Sequence, residues 1–281
     1  VLEEMNRSGV IADIPVIMIS SENSDDVMNR AYGLGISDYI SRPFDMRVVC
    51  RRVYNIIKMN MKQRRLTGLL SKQMKDRERS GRLMADILSH IIEFRNGENG
   101  QHAENVARIT ELLLARLAAR TDRYGLTYED RRLITLASSL HDIGKIGISE
   151  EILGKHGELT PDERRIMQTH TVLGEQILNS LERFRGEKLA RIAAQVCRHH
   201  HERYDGSGYP DGLVGEQIPI SAQAVSLADA YDALVSERPY KAKLSHADAM
   251  RRICFGECGA FNPLLLECLR DIEGSLRDEI N

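Results

Sequence analysis

The stretch EKLARIAAQVCRHHH, residues 187–201, ends in three consecutive histidines. Its apolar residues do not alternate as a strand would require; they recur at steps of three and four. Ile192, Val196 and His200 share one helical stripe, and Ala193, Cys197 and His201 form the stripe beside it. Lys188, Arg191, Gln195 and His199 fall on the polar side. The phase predicts a helix that points His200 and His201 inward and His199 toward solvent. The glycine-rich run ERYDGSGYPDG (202–212) follows, where Gly206 and Gly208 permit unusual backbone angles and Pro210 stiffens the exit.

The same periodicity recurs across residues 96–270, which read as almost wholly helical. In HAENVARITELLLARL (102–117), His102 lies in line with Val106, Ile109 and Leu113. In RRLITLASSLHD (131–142), His141 keeps register with Leu133 and Ala137, and Asp142 follows it. Thr160-Pro161-Asp162-Glu163 forms a capping box with proline in the first helical position. Behind it, Ile166, His170, Leu173 and Ile177 are expected on one face. Asp229 shares the apolar side of ISAQAVSLADAYDAL (220–234) with Ala222 and Val225.

One inward histidine is ordinarily a hydrogen-bonded core residue. Five of them, accompanied by Asp142 and Asp229, are costly to bury together unless something shares their lone pairs, as a metal ion does. Were a pair of ions bound, Asp142 with its two carboxylate oxygens would suit a bridge between them. Successive helical residues diverge by roughly 100°, so His200 and His201 are better placed to serve two neighbouring ions than one. Imidazole and carboxylate donors without thiolates fit Fe or Mn first, and also Zn or Ni, among which composition does not choose. Glu98, four residues before His102, is either a further donor or a first-turn acid favoured by the helix dipole.

The remaining chain sets limits. With 281 residues, 42% of them apolar, there is material for a sizeable core and two domains. A formal net charge of −2 argues against a nucleic-acid polymer as partner. No apolar run of membrane-spanning length occurs. Five cysteines, an odd number with no CxxC pair, point to a reducing compartment, the cytoplasm.

Residues 1–50 have a different character. IPVIMIS (14–20) predicts a buried parallel strand, SDDVMNRAYGLG a helix capped by Ser24, and SDYISRPF (37–44) a second strand, together a strand–helix–strand crossover. Residues 46–95 contain no proline and read as a connecting helix weakened at Gly68 and Gly81. The expected fold is mainly α: a partial α/β segment (1–50), a linker helix (51–95) that offers a surface for homodimer pairing, and an all-α domain (96–281).

Two resemblances follow. Residues 1–50 resemble the C-terminal half of a response-regulator receiver, with Ser20, Tyr39 and Arg42-Pro43 at the positions of the switch hydroxyl, the switch aromatic and the Lys-Pro pair. This implies a phosphoacceptor segment upstream of Val1 and a sensor kinase as partner. HDIGK at 141–145 and HHERYDGSGYP at 200–210 resemble the HD-GYP group of HD phosphohydrolases over roughly residues 96–245. That resemblance implies hydrolysis of cyclic di-GMP to pGpG, with further cleavage to GMP, at two or three divalent transition-metal ions. It assigns metal binding to Glu98, His102, His141, Asp142, His170, His200, His201 and Asp229, and catalysis to Asp142 and Lys145. Lys145, Tyr209, Arg238 and Lys241 become substrate contacts. Asn105 stands where the family usually has a basic residue. Other readings of the same residues are hydrolysis of another cyclic dinucleotide, such as cyclic GMP-AMP, or a non-catalytic module that senses cyclic di-GMP.

Overall fold

The computed structural model describes residues 1–95, 101–155, 157–180, 186–236 and 243–280. The chain divides into two compact units, Val1–Arg79 and Ser80–Asn281. Among the described residues no helix is long and apolar enough to cross a membrane.

In the first unit, two short helices, α1 (Leu2–Arg7) and α2 (Val10–Asp13), precede β1 (Ile17–Ser20), α3 (Asp25–Gly33) and β2 (Asp38–Ser41). The strands pair in parallel with Ile17 opposite Asp38 and Ser20 opposite Ser41, and α3 is the crossover such pairing requires. Ser24 takes the extended N-cap conformation ahead of α3. Ala31, Ile36 and Tyr39 form a small core with Val16, Met18 and Met28. The first strand is shorter and wetter than its β-branched run suggests. Only four residues pair, and Ile19 stays exposed because a two-stranded sheet cannot cover both faces. α4 (Met46–Arg95) runs without interruption through Gly68 and Gly81, begins ahead of the expected linker boundary, and continues from the first unit into the second.

The second unit is all-α. α5 (His102–Arg120) is its central helix, with Val106, Ile109, Leu113, Leu114 and Leu117 wholly buried, as the apolar stripe predicts. α6 (Tyr128–Ser138) starts at a Thr127–Asp130 capping box and packs on α5. A tight 3-10 turn (Ile143–Gly147) and a short α7 (Glu150–Leu153) follow. α8 (Pro161–Gln168) opens on the anticipated Thr160–Glu163 box. α9 (His170–Ser180) packs on α10 (Lys188–His199), and α11 (Ile220–Val235) crosses α5 and α10. The small buried residues Ala222, Ala224, Val225 and Ala228 let α11 approach closely. α12 (His246–Cys254), α13 (Pro263–Asp271) and α14 (Glu273–Ile280) close the core through Ile253, Leu265, Leu269 and Leu276.

Two helices are shorter than their periodicity predicts. α6 ends at Ser138, so His141 lies in the turn beyond it. The chain breaks at Thr169 between α8 and α9, leaving Ile166 exposed; the buried face of α9 is His170, Thr171, Gly174 and Leu178.

Candidate metal centre

Five histidine rings and two carboxylates meet where the ends of α5, α6, α9 and α10 face the middle of α11. His102 is the first residue of α5, and His141 and Asp142 occupy the turn after α6. His170 opens α9, His200 is the C-cap of α10 with His201 beyond it, and Asp229 lies on α11. His141, His170 and His200 are buried.

Most of the rings are held by one nitrogen. His141 Nδ1 is 2.8 Å from the Ser138 carbonyl, and His170 Nδ1 is 2.7 Å from that of Met167. His200 Nδ1 is 3.0 Å from both the Val196 and the Cys197 carbonyl. A carbonyl only accepts, so each Nδ1 carries the proton and each Nε2 presents a lone pair. His102 Nδ1 lies 2.6 Å from Asp232 Oδ2. In turn, Asp232 Oδ1 accepts from Asn105 Nδ2 and Ser236 Oγ, both at 2.7 Å.

The inner nitrogens converge. His170 Nε2 and His200 Nε2 are 3.4 Å apart, and with both Nδ1 protons committed no hydrogen can lie between them. Asp142 faces this pair through Oδ1, 3.4 Å from His170 Nε2 and 3.9 Å from His200 Nε2. Its Oδ2 is 3.3 Å from His141 Nε2 and 2.6 Å from Lys145 Nζ. His102 Nε2 is 3.4 Å from Asp229 Oδ1. The donors form three groups, each with ligand atoms within 4.8 Å of one another: His102, His141 and Asp229; His170, His200 and His201; and His141, Asp142 and His200. His141 Nε2 and Asp142 Oδ1 are buried without a hydrogen-bond partner. Opposed lone pairs beside unsatisfied buried acceptors are what a cation would satisfy.

The electrostatics divide the donors, with His102 and His141 raised by neighbouring carboxylates and His170, His200 and His201 lowered by burial. Burial holds His200 well below its usual range and His201 down to about 3, so both are neutral donors. Burial also pulls on His102, but its bonds to Asp229 and Asp232 win and push it up to about 10. Asp142 stays well below the carboxylate range because Lys145 and His141 outweigh its burial. In Asp229 burial is outweighed by the His102 contacts.

Other expected site residues fall as follows. Lys145 sits in the 3-10 turn, ion-paired to Asp142. Tyr209 stacks on His201 with ring centroids 4.8 Å apart. Glu98, Arg238 and Lys241 lie outside the described residues. His199 does not face solvent. Its side chain is only 14% exposed, with Nδ1 3.5 Å from Asp211 Oδ2. The phase put it on the polar side correctly, but the loop after α10 folds back over that side.

Sequence reasoning missed Asp232, although it lies three residues beyond Asp229 on the same helix and so shares its face. It also missed Glu202, whose buried carboxylate accepts from the Asp211 and Leu213 amides and staples the loop. Past the end of α10 no periodicity marks such a residue. Two glycines are required by space: a Cβ on Gly208 would lie 2.3 Å from Arg203 N, and one on Gly144 1.9 Å from His170 O.

Comparison with known proteins agrees with this geometry. The family model described as HD domain matches residues 57–256. The chain is 33% identical over 264 residues to the cyclic di-GMP phosphodiesterase response regulator RpfG of Xanthomonas campestris pv. campestris (strain 8004), covering 92% of this chain and 67% of that protein. It is 34% identical to a probable cyclic di-GMP phosphodiesterase of Vibrio cholerae, covering 95% of this chain and 63% of that one. A 3'3'-cGAMP-specific phosphodiesterase 2 of the same organism is 38% identical over 182 residues, covering 65% of this chain and 33% of that protein. The matched span contains every described candidate ligand, and the chain belongs to the HD domain family, in its HD-GYP group.

Proposed function

We propose that the chain hydrolyses cyclic di-GMP to pGpG, and pGpG onward to GMP, as the output of a response regulator. The observation that carries the reading is Asp142: one carboxylate turned by its two oxygens toward two separate histidine groups. His102, His141 and Asp229 would hold one divalent ion and His170, His200 and His201 a second, with Asp142 between them. The mixed imidazole and carboxylate donors favour iron or manganese. Such ions supply charge neutralisation and an activated water. Glu98 is assigned to a third ion.

The protein's own part is orientation and charge. The Nδ1 anchors keep the lone pairs aimed inward before substrate arrives. Water attacks phosphorus, the bond to the ribose 3' oxygen breaks, and the leaving oxygen takes up a proton. Lys145, next to Asp142, is the cation that steadies a phosphate or leaving oxygen. Tyr209, Arg238 and Lys241 are assigned to the guanine and phosphate groups. Tyr209 has one ring face on His201 and offers the other.

The printed names of the relatives support cyclic di-GMP, and the cGAMP-specific relative supports cyclic GMP-AMP as the second substrate to test. The parallel strand pair, with Ser20 ending β1 and Tyr39 in β2, supports a receiver fragment served by a sensor kinase. Five free cysteines support the cytoplasm. Leu83, Met84, Ile87, Leu88, Ile91 and Phe94 are exposed along α4, which supports pairing with a second copy. The deciding experiment is metal analysis coupled to side-by-side turnover of the two nucleotides. At least two ions per chain, faster cleavage of cyclic di-GMP, and loss of both properties in Asp142→Ala are expected. A wild-type chain loaded with iron or manganese that cleaves neither nucleotide would refute the reading.

A further inference from the structure

The last turns of α4 touch the second unit's backbone at three points, and each point adjoins a site residue. Glu93, buried at 4% exposure, accepts from the Ala103 amide through Oε1 at 2.5 Å, directly after His102. The buried Ser89 hydroxyl bonds to the Ser139 carbonyl, two residues before His141. Arg95 donates to the Ile146 carbonyl at 2.6 Å and to that of Ile148 at 3.0 Å, just beyond Lys145. Glu93, Ser89, His102, His141 and Asp142 also line one small cavity.

The Glu93 contact replaces something α5 lacks. A helix begins with amides that have no intrahelical partner, and a side chain at the N-cap usually accepts from one of them. Gln101, the N-cap of α5, makes no such bond. A carboxylate from a different helix does so instead, and it also favours the positive end of the α5 dipole. The residue fixed in this way, Ala103, directly follows His102 in the first turn of α5.

We infer that Glu93 is a positioning residue for His102, and that the end of α4 holds the metal centre in register through Glu93, Ser89 and Arg95. This rests on the proposed metal-dependent hydrolysis, but its primary readout does not. Outer partners of ligands typically change metal affinity about 10–100-fold. Titration of the whole chain with Mn2+ alone should show Glu93→Ala weakening the affinity of one site by about tenfold or more. Glu93→Gln, whose amide oxygen can still accept from Ala103, should recover most of it. A merely structural role would lower the melting temperature of both variants and leave Mn2+ affinity unchanged well below melting.

Arg95→Ala alters a partly exposed side chain and keeps the tightly packed core. It should reduce kcat at saturating Mn2+ with unchanged metal affinity, through displacement of the turn bearing Lys145. The inference is overturned by wild-type Mn2+ affinity in a folded Glu93→Ala, or by Glu93→Gln as weak as the alanine. If Glu93→Ala does not fold, wild-type kcat in Arg95→Ala overturns it. If the wild-type chain binds Mn2+ but cleaves no nucleotide, the functional proposal fails and the affinity comparison still decides this one.

Discussion

Replacing Gly144 with alanine separates two opposed effects. Its φ lies outside the left-handed region, so an alanine could adopt the same backbone, and loss of unfolded-state freedom would stabilise by about 0.4–1 kcal/mol. Space decides otherwise. The new Cβ would lie 1.9 Å from His170 O and 2.5 Å from Gly174 N, both backbone atoms. Ordinary contact begins near ~3.5 Å, so the 3-10 turn and α9 would have to separate by roughly 1.6 Å. Overpacking of this kind costs ~1–3 kcal/mol, and with no flexible side chain to yield the upper end applies, for a net loss of about 2 kcal/mol. The same movement carries His170 away from Asp142, now 3.4 Å apart. Sites of this kind tolerate about 0.5 Å of error, and 1 Å can cost ~100-fold in rate. Urea unfolding, metal content and nucleotide turnover should therefore all fall in Gly144→Ala. Gly81→Ala, whose Cβ meets nothing within 4 Å on helical α4, should gain about 1 kcal/mol in the same assay. A Gly144→Ala protein of wild-type stability and metal content would refute the packing argument.

Asp232→Ala should leave the domain folded and weaken Mn2+ binding about 10–100-fold, since His102 loses the partner that orients its ring; unchanged affinity would count against that role. Metal uptake should strengthen with pH. The pKa of His102 is raised by Asp229 and Asp232 to about 10, so its contribution to stability in ion-free protein is complete below its unfolded value near 6.5 and is lost as pH rises through about 10. A metal must displace that proton, so apparent affinity should rise about tenfold per unit between about pH 7 and 9. Calorimetry in buffers of different ionisation enthalpy would detect the released proton, and a flat profile would contradict the assignment. Ile87→Lys, a charge placed on the exposed α4 stripe, should convert a dimer to monomer by sedimentation analysis, and a monomeric wild type would remove the pairing proposal.

Helical phase located the inward face wherever a helix is regular. The α5 stripe, and Asp229 beside Ala222 and Val225 on α11, follow from spacing alone because burial in a helical core is a local periodic property. It failed where an element ends or a distant segment intervenes. Phase carried through Ser138 still pointed His141 inward, though it lies in a turn. Phase carried through Thr169 wrongly buried Ile166. Solvation of His199 was misjudged because Asp211 approaches from a loop with no helical signal. Glu93 was invisible for the same reason: it caps a helix other than its own, and no local spacing encodes that contact.

Those helix ends also explain why the donors are prepared. The last carbonyls of a helix lack intrahelical amide partners and need others. Ser138 ends α6, Met167 lies in the last turn of α8, and Val196 and Cys197 lie in the last turn of α10. Each receives the Nδ1 proton of the histidine just beyond its helix, beside a backbone amide that Ser138, Met167 and Val196 also accept, so the helix end orients the ring and exposes the Nε2 lone pair. His102 sits at the opposite kind of end, where amides rather than carbonyls are orphaned. No terminal carbonyl is available to it, and a carboxylate from α11 takes that place. The presence of Asp232 beside His102, and its absence beside the three carbonyl-anchored histidines, follows from helix polarity. Lengthening α6 or α8 by a single turn would remove the anchor together with the donor it orients.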